Sequence, residues 1–158
     1  MKKLLVYTSK TGTTKKCTNM IKDSINNLTI IDLDKQNINI DDYDIILIGS
    51  PIRMGMISKK IKKFINNNYN ILLTKKIAFF ICCGFDENME TYYSQNIPKD
   101  LLAISFAHTS FGGEMEIEKQ KGFDKFIANM VSKKDDRKPS LNNSNIDSFI
   151  TKIKEIDK

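Results

Sequence analysis

Short, continuous runs of apolar residues recur along the chain, and each is followed by polar or glycine-containing sequence. Runs that are apolar at every position, rather than at alternate positions, are typical of strands buried on both faces of a parallel sheet. The third run is apolar on both faces, so we expect it at the centre of the sheet. The pattern predicts five strands, within residues 4–7, 29–33, 43–49, 77–83 and 102–111.

Apolar residues at helical spacing separate these runs. They predict helices over 13–27, 57–67 and 123–131, a last helix around 146–153, and a short one within the polar stretch 84–96. The polar segment 132–145 is expected to be a loop. Strands that alternate with helices predict a three-layer α/β sandwich, with a five-stranded parallel sheet in the order 2-1-3-4-5 and helices on both faces. A length of 158 residues fits a single domain, 1–158.

Composition narrows the class of protein. No apolar run approaches the roughly 18 residues of a membrane span, and the apolar start of the chain is too short for a signal peptide, so we expect a cytoplasmic protein. The three cysteines, at positions 17, 82 and 83, form no CxxC pair, and there is one histidine. This set predicts neither a disulfide framework nor a metal site.

Charge is distributed unevenly along the chain. Residues 1–79 carry 14 basic and 6 acidic side chains, a net +8, whereas residues 80–158 carry 11 and 13, a net −2. A basic half is typical of proteins with an anionic cofactor or partner. The alternative is a general lysine bias, since 23 of the 25 basic residues are lysine. The sequence has no nucleic-acid-binding motif and no pattern of aromatic residues between basic ones, so it gives no support for nucleic-acid binding.

The loop after the first strand is rich in hydroxyl groups. Ligands of open parallel sheets bind outside the carboxyl ends of the strands, and the free N–H groups of a helix start attract anions. The loop lacks the order of a Walker A or GxGxxG motif, so we expect a monophosphate. Alternatively, Thr13 or Thr14 only caps the helix. The residues concerned are Thr8, Ser9, Lys10, Thr11, Gly12, Thr13 and Thr14.

The same residues resemble a known signature. Leu5-Val6-Tyr7-x-Ser9-x-x-Gly12-x-Thr14-x-x-x-Thr18-x-x-Ile21 is similar to the flavodoxin signature. It departs from that signature only at Thr18, where flavodoxins have alanine. The resemblance implies a flavodoxin-like fold and FMN as cofactor. Side-chain donors to the FMN phosphate would come from Ser9, Thr11 and Thr14. Backbone donors would come mainly from Lys10, Gly12 and Thr13.

A second loop follows the third strand. In flavodoxin-like proteins this loop flanks the flavin ring, and a peptide beside the flavin N5 can flip; Gly55 is the candidate here. The sequence of the loop, GSPIRMG, is similar to the GASIRYG stretch of flavodoxin-like, menaquinone-dependent protoporphyrinogen oxidases. The alternative is a loop that merely leads into a helix. The predicted cofactor residues are Ser50, Pro51, Ile52, Arg53, Met54 and Gly55.

A third loop follows the fourth strand. By the same resemblance it borders the flavin's pyrimidine edge, where backbone N–H groups bond the ring oxygens. Tyr92 or Tyr93 either stacks on the ring or belongs to the core. The predicted residues are Cys83, Gly84, Phe85 and Asp86.

Two functions are therefore expected: an FMN protein that carries electrons between cytoplasmic partners, or an FMN-dependent oxidoreductase of the protoporphyrinogen oxidase or quinone reductase type. A domain that keeps the fold without flavin is the third alternative. Residues 112–118 are acidic where the oxidases are basic, which argues against tetrapyrrole oxidation and peripheral membrane contact. If Lys10 or Arg53 lies near the flavin, it favours the anionic reduced form, so we expect a less negative potential than acidic flavodoxins have.

Overall fold

A parallel sheet forms the middle layer of the protein, in a computed structural model that describes residues 1–113 and 140–158. The predicted helix over 123–131 and most of the predicted loop 132–145 lie outside the described residues. The strands are β1 (Lys3–Tyr7), β2 (Leu28–Asp32), β3 (Ile45–Arg53), β4 (Met56–Ile57), β5 (Lys76–Cys82) and β6 (Ala107–Ser110).

Helices connect these strands. They are α1 (Thr13–Ser24), α2 (Lys59–Asn67), α3 (Tyr69–Leu72), α4 (Met89–Asn96), α5 (Lys99–Ile104) and α6 (Asn143–Ile156). A 3₁₀ turn at Asp86–Asn88 precedes α4. No helix among the described residues is both long and apolar enough to cross a membrane.

The long strands lie in the order β2-β1-β3-β5-β6, and all pair in parallel. This confirms the predicted order, because β4 only pairs antiparallel with the end of β3. The last predicted run divides into two elements. Its first part completes α5, which buries Leu101 and leaves Ile104 45% exposed, while Ala107–Ser110 forms the strand.

Alternate residues of the strands face two separate cores, which is why the runs are apolar at every position. Leu4 and Val6 point to one face, and Leu5 and Tyr7 to the other. On the first face pack α2 to α5, through Ile61, Phe64, Ile65, Leu72, Tyr93 and Leu101. On the second pack α1 and α6, through Cys17, Ile21, Ile146, Phe149, Ile150 and Ile153.

An ion pair joins the two ends of the chain at the amino edge of the sheet. Lys3 Nζ, on a side chain that is 7% exposed, lies 2.7 Å from Asp157 Oδ2. The amino group of Met1 lies 3.4 Å from the other oxygen of the same carboxylate. The hydrogen bond from Lys3 is the main reason that the pKa of Asp157 lies below its usual value.

Candidate functional site

The three predicted loops emerge at the carboxyl edge of the sheet. β1 and β3 are neighbours there, and the chain continues from β1 outward to β2 but from β3 toward β5. This is the point where the direction of winding reverses, and it is the usual position of a ligand in such sheets. Because β3 lies between β1 and β5, its end separates the loop after β1 from the loop after β5.

Glycine rather than threonine is the N-cap residue of the first helix. Gly12 is the N-cap residue of α1, with φ of +98°, and it provides no side-chain cap. The alternative in which Thr13 or Thr14 caps the helix is therefore wrong, since both lie inside the helix. Ser9 bends back instead, and its Oγ accepts a hydrogen bond of 3.3 Å from the Lys15 N–H.

The remaining donors at this helix end suit an anion. Thr13 and Thr14 lie in the first turn of α1, so their N–H groups have no acceptor within the helix. The first turn of α1 contains no acidic residue, so the positive end of the helix dipole is not offset there. A Cβ atom built on Gly12 would meet nothing within 4 Å, so the loop leaves open space at this point.

A buried hydroxyl group also lacks a partner here. Thr8 is 3% exposed, and its Oγ1 has no hydrogen-bond partner within the described chain. A buried hydroxyl without a partner costs about 1–3 kcal/mol, so its presence beside a helix start points to a ligand oxygen. Together with the helix end, this group fits the phosphate that the sequence predicts.

The second predicted loop is a β-hairpin. Ser50 and Pro51 continue β3 and pair with Ile81 and Cys82 of β5, while Arg53 pairs with Met56 of β4. The interpretation as a loop that leads into a helix is thus wrong for residues 50–53. Proline is tolerated in this strand because β1 ends opposite Gly49, so β3 has only β5 as a neighbour at Pro51.

The turn of this hairpin has an unusual backbone. Met54 and Gly55 both have positive φ, +52° and +77°. A two-residue turn with positive φ at both positions is the type I′ turn, which suits the twist of a hairpin. Met54 is 79% exposed, so its side chain lies at the edge of the sheet, where a ligand or a partner can reach it.

Asn96, at the end of α4, holds the hairpin in place. Its Nδ2 donates to the Gly55 carbonyl at 2.8 Å, and its Oδ1 accepts from the Ile57 N–H at 3.1 Å. The side chain is largely buried, with 7% exposed. The sequence alone does not identify this residue, because a single asparagine 41 positions from Gly55 carries no local signal.

A cleft of about 450 Å³ lies between the first loop and the hairpin. Its charged lining residues are basic apart from Asp34, whose Oδ1 lies 3.1 Å from Lys60 Nζ. The cleft brings together residues of the first two predicted loops with the start of α2, but its described lining contains no residue of the third loop. The lining residues are Thr8, Ser9, Lys10, Asp34, Pro51, Arg53, Met56, Ile57, Ser58, Lys59 and Lys60.

The third loop is fixed by a small polar cluster. Ser110 Oγ donates to Asp86 Oδ1, and Cys83 Sγ lies 3.3 Å from Ser110 Oγ. Burial raises the pKa of the Cys83 thiol to about 11, so the group is neutral at pH 7. The Cys83 N–H donates to the Gly112 carbonyl at 3.0 Å, so of the predicted backbone donors this one is already used within the protein.

The two adjacent tyrosines have different environments. Tyr93 is 1% exposed, and its hydroxyl donates to the Thr109 carbonyl at 2.7 Å, so it belongs to the core. Burial raises its pKa well above the usual value. Tyr92 is half-buried, and its ring approaches Gly55. Of the two, only Tyr92 lies close to the hairpin turn.

Solved structures with the same fold include flavoproteins. A flavoprotein from Lactobacillus acidophilus, in complex with FMN, is 22% identical, with a TM-score of 0.54 over 70% of this chain and 93% of its own. A two-electron-reduced flavodoxin from Megasphaera elsdenii is 19% identical, with a TM-score of 0.54 over 68% and 83%. An NADH:FMN oxidoreductase in its apo form is 10% identical, with a TM-score of 0.54 over 84% and 87%. Identities this low establish the fold alone.

Comparison with protein families is more specific. No curated protein matches the chain significantly. The family model of the flavodoxin domain matches residues 4–142, which include all three loops at the carboxyl edge. The chain therefore belongs to the flavodoxin domain family.

Proposed function

We propose that this protein binds FMN at the carboxyl edge of its sheet and carries electrons between partners in the cytoplasm. The observation that carries the proposal is the start of α1, whose N-cap residue Gly12 provides no side-chain cap, beside the unpartnered, buried hydroxyl of Thr8. FMN is the cofactor that membership of the flavodoxin domain family implies. When bound, it accepts and donates one or two electrons.

The residues of the chain would bind and orient this cofactor. The Thr8 hydroxyl and the N–H groups of Thr13 and Thr14 are donors suited to a phosphate group. The hairpin of β3 and β4 and the third loop would flank the ring, one on each side. The cluster of Cys83, Asp86 and Ser110 keeps the third loop in one conformation, which lowers the entropic cost of binding.

Electron transfer between proteins requires an accessible contact point near the cofactor. Met54 and Met56, on the hairpin, are 79% and 44% exposed and offer an apolar contact. Four basic side chains, Lys10, Arg53, Lys59 and Lys60, line the cleft beside them, with Asp34 as the one acidic residue of that lining. These features support a redox partner protein as the first candidate for the partner.

The test of the proposal is a binding titration of the apoprotein with FMN and with riboflavin, which lacks the phosphate. Flavin fluorescence quenching measures both affinities. We expect FMN to bind at least about tenfold more tightly than riboflavin, which corresponds to about 1.4 kcal/mol from phosphate contacts. Equal affinities would exclude the first loop as the phosphate site, and a failure to bind FMN would exclude the proposed function.

The second candidate is an FMN-dependent oxidoreductase of the protoporphyrinogen oxidase or quinone reductase type. The cleft of about 450 Å³ favours it, because this volume is within the range of small-molecule sites. The experiment is reduction of the FMN-loaded protein by protoporphyrinogen, followed by reoxidation with a menaquinone. Turnover supports the enzyme. Reduction in two separated one-electron steps, without such turnover, supports the carrier.

A further inference from the structure

Asn96 uses its whole amide group to attach the hairpin to α4. Its nitrogen donates to the carbonyls of Gly55 and Tyr92, each at 2.8 Å, and its oxygen accepts from the Ile57 N–H at 3.1 Å. The first and last of these contacts cross between elements that are about 40 residues apart in sequence. Because Asn96 is only 7% exposed, water competes little for these hydrogen bonds.

The turn that Asn96 holds is weak by itself. β4 has two residues, and the hairpin contains two paired positions, Ile52–Ile57 and Arg53–Met56. Met54 adopts φ of +52°, a conformation that is unfavourable for residues other than glycine, asparagine and aspartate. Its side chain is 79% exposed, so packing offers little compensation. The conformation of the turn therefore depends on the hydrogen bonds from Asn96.

These bonds act unequally on the two peptide groups of the turn. The Gly55 carbonyl faces the Asn96 nitrogen, so the Gly55–Met56 peptide cannot rotate without breaking that bond. The Met54–Gly55 peptide is not held by this bond. Its rotation changes ψ of Met54 together with φ of Gly55. Glycine accepts either sign of φ, whereas Met54, already at φ of +52°, moves toward a conformation that favours glycine, so the reorientation has a cost in strain. The expectation that the Gly55 region can flip is thereby narrowed to the peptide that precedes Gly55.

We propose that Asn96 is a positioning residue for the cofactor: by fixing the Gly55 carbonyl, it restricts reorientation at the hairpin to the Met54–Gly55 peptide and so sets the relative affinity for oxidised and reduced FMN. This inference rests on the proposed function. A residue that served folding alone would change the stability of the protein but would not change that ratio of affinities.

The substitution Asn96→Asp tests the proposal. It keeps an acceptor for the Ile57 N–H but places an oxygen opposite the carbonyls of Gly55 and Tyr92. The matched control is Asn68→Asp, because Asn68 Nδ2 also donates to a backbone carbonyl, Phe64 O at 2.8 Å, at the end of α2 away from the site. Three quantities are measured for each protein: apoprotein unfolding in urea, the dissociation constant of FMN, and the midpoint potentials.

We expect Asn96→Asp to change the ratio of affinities for oxidised and reduced FMN by about tenfold, which for a one-electron step is a shift of about 59 mV. Asn68→Asp should lose stability and leave the potentials unchanged. If Asn96→Asp does not fold, the substitution is made in the Met54→Asn variant, which has the Asn-Gly sequence preferred in type I′ turns. The double variant is then compared with Met54→Asn alone.

Two outcomes would overturn the proposal, and they differ from each other. Equal potentials in Asn96→Asp and wild type, with FMN bound to both, would show that Asn96 is only structural and would leave the proposed function intact. Failure of the wild-type protein to bind FMN would instead overturn the proposed function, and the role of Asn96 with it.

Discussion

The ring of Phe80 occupies the space where a side chain at Gly49 would lie. A Cβ atom built on Gly49 would be 2.1 Å from Phe80 Cζ, and the two residues are register partners in β3 and β5. Phe80 is completely buried and stacks on Phe111, with ring centroids 4.6 Å apart, so it has no room to move. A glycine at position 49 is therefore a packing requirement of the core under α1 and α6.

The substitution Gly49→Ala should lower the free energy of unfolding by about 1–3 kcal/mol, the usual cost of overpacking a core. Urea unfolding measures this. The double variant Gly49→Ala/Phe80→Leu should be less destabilised than the sum of its two single variants, because leucine leaves room for the added methyl group. Simple additivity of the two effects would contradict this account of the contact.

The unpartnered hydroxyl of Thr8 predicts opposite effects on stability and binding. Thr8→Val removes a buried polar group without a partner, so the apoprotein should gain up to about 1 kcal/mol in stability. FMN affinity should fall by about fivefold or more, since a phosphate donor is lost. Thr18 provides a matched control, because its Oγ1 is also buried and unpartnered but lies on α1 beyond the loop. Thr18→Val should raise stability without changing the FMN affinity; a similar loss of affinity in both variants would refute the assignment of Thr8.

The basic side chains of the cleft should raise the potential of the bound flavin. Replacing Arg53 by glutamine removes one positive charge from the hairpin, and we expect the step to fully reduced flavin to become more negative by roughly 50 mV, about 1 kcal/mol for one electron. Lys22→Gln, in the last turn of α1, is the control and should have no effect. A redox titration at low and high salt measures both shifts. An unchanged potential in Arg53→Gln would show that this charge does not act on the flavin.

Burial of Cys83 predicts a stability change at alkaline pH. Its pKa is raised from about 9 to about 11, mainly by burial, so the folded protein retains a proton that the unfolded chain releases. The contribution to stability is complete below pH 9 and is lost as the pH rises toward 11, by at most about 1.4 kcal/mol per pH unit. Comparison of wild type with Cys83→Ser, by urea unfolding from pH 7 to pH 10.5, isolates the contribution of Cys83 to the free energy of unfolding. The stability difference between them should narrow above pH 9; a constant difference would indicate that Cys83 titrates normally.

The main strands and helices could be predicted from the sequence, because their burial produces a local pattern of apolar residues. The hairpin could not. The run Ile45–Ile48 is apolar because β3 has strands on both sides and helices on both faces, and this pattern is local. Proline and glycine are common in loops, so Pro51 and Gly55 give no local sign of a hairpin. Proline is acceptable in this strand only because β1 ends opposite Gly49. Asn96 could not be identified for a similar reason, since its role comes from a contact across 41 residues.

The phosphate loop was predictable because its chemistry is contained in one short segment. Which groups remain available there was not predictable. The use of Ser9 as acceptor for Lys15 and the lack of a partner for Thr8 depend on how the loop folds back on α1.

The ion pair between Lys3 and Asp157 has a practical consequence for electrochemistry. It keeps both described ends of the polypeptide at the edge opposite the three loops. A thiol anchor added at either of these ends would attach the molecule to a gold surface with the edge that carries the three loops turned outward into solution. Direct voltammetry in that orientation would leave the hairpin free to meet a dissolved redox mediator.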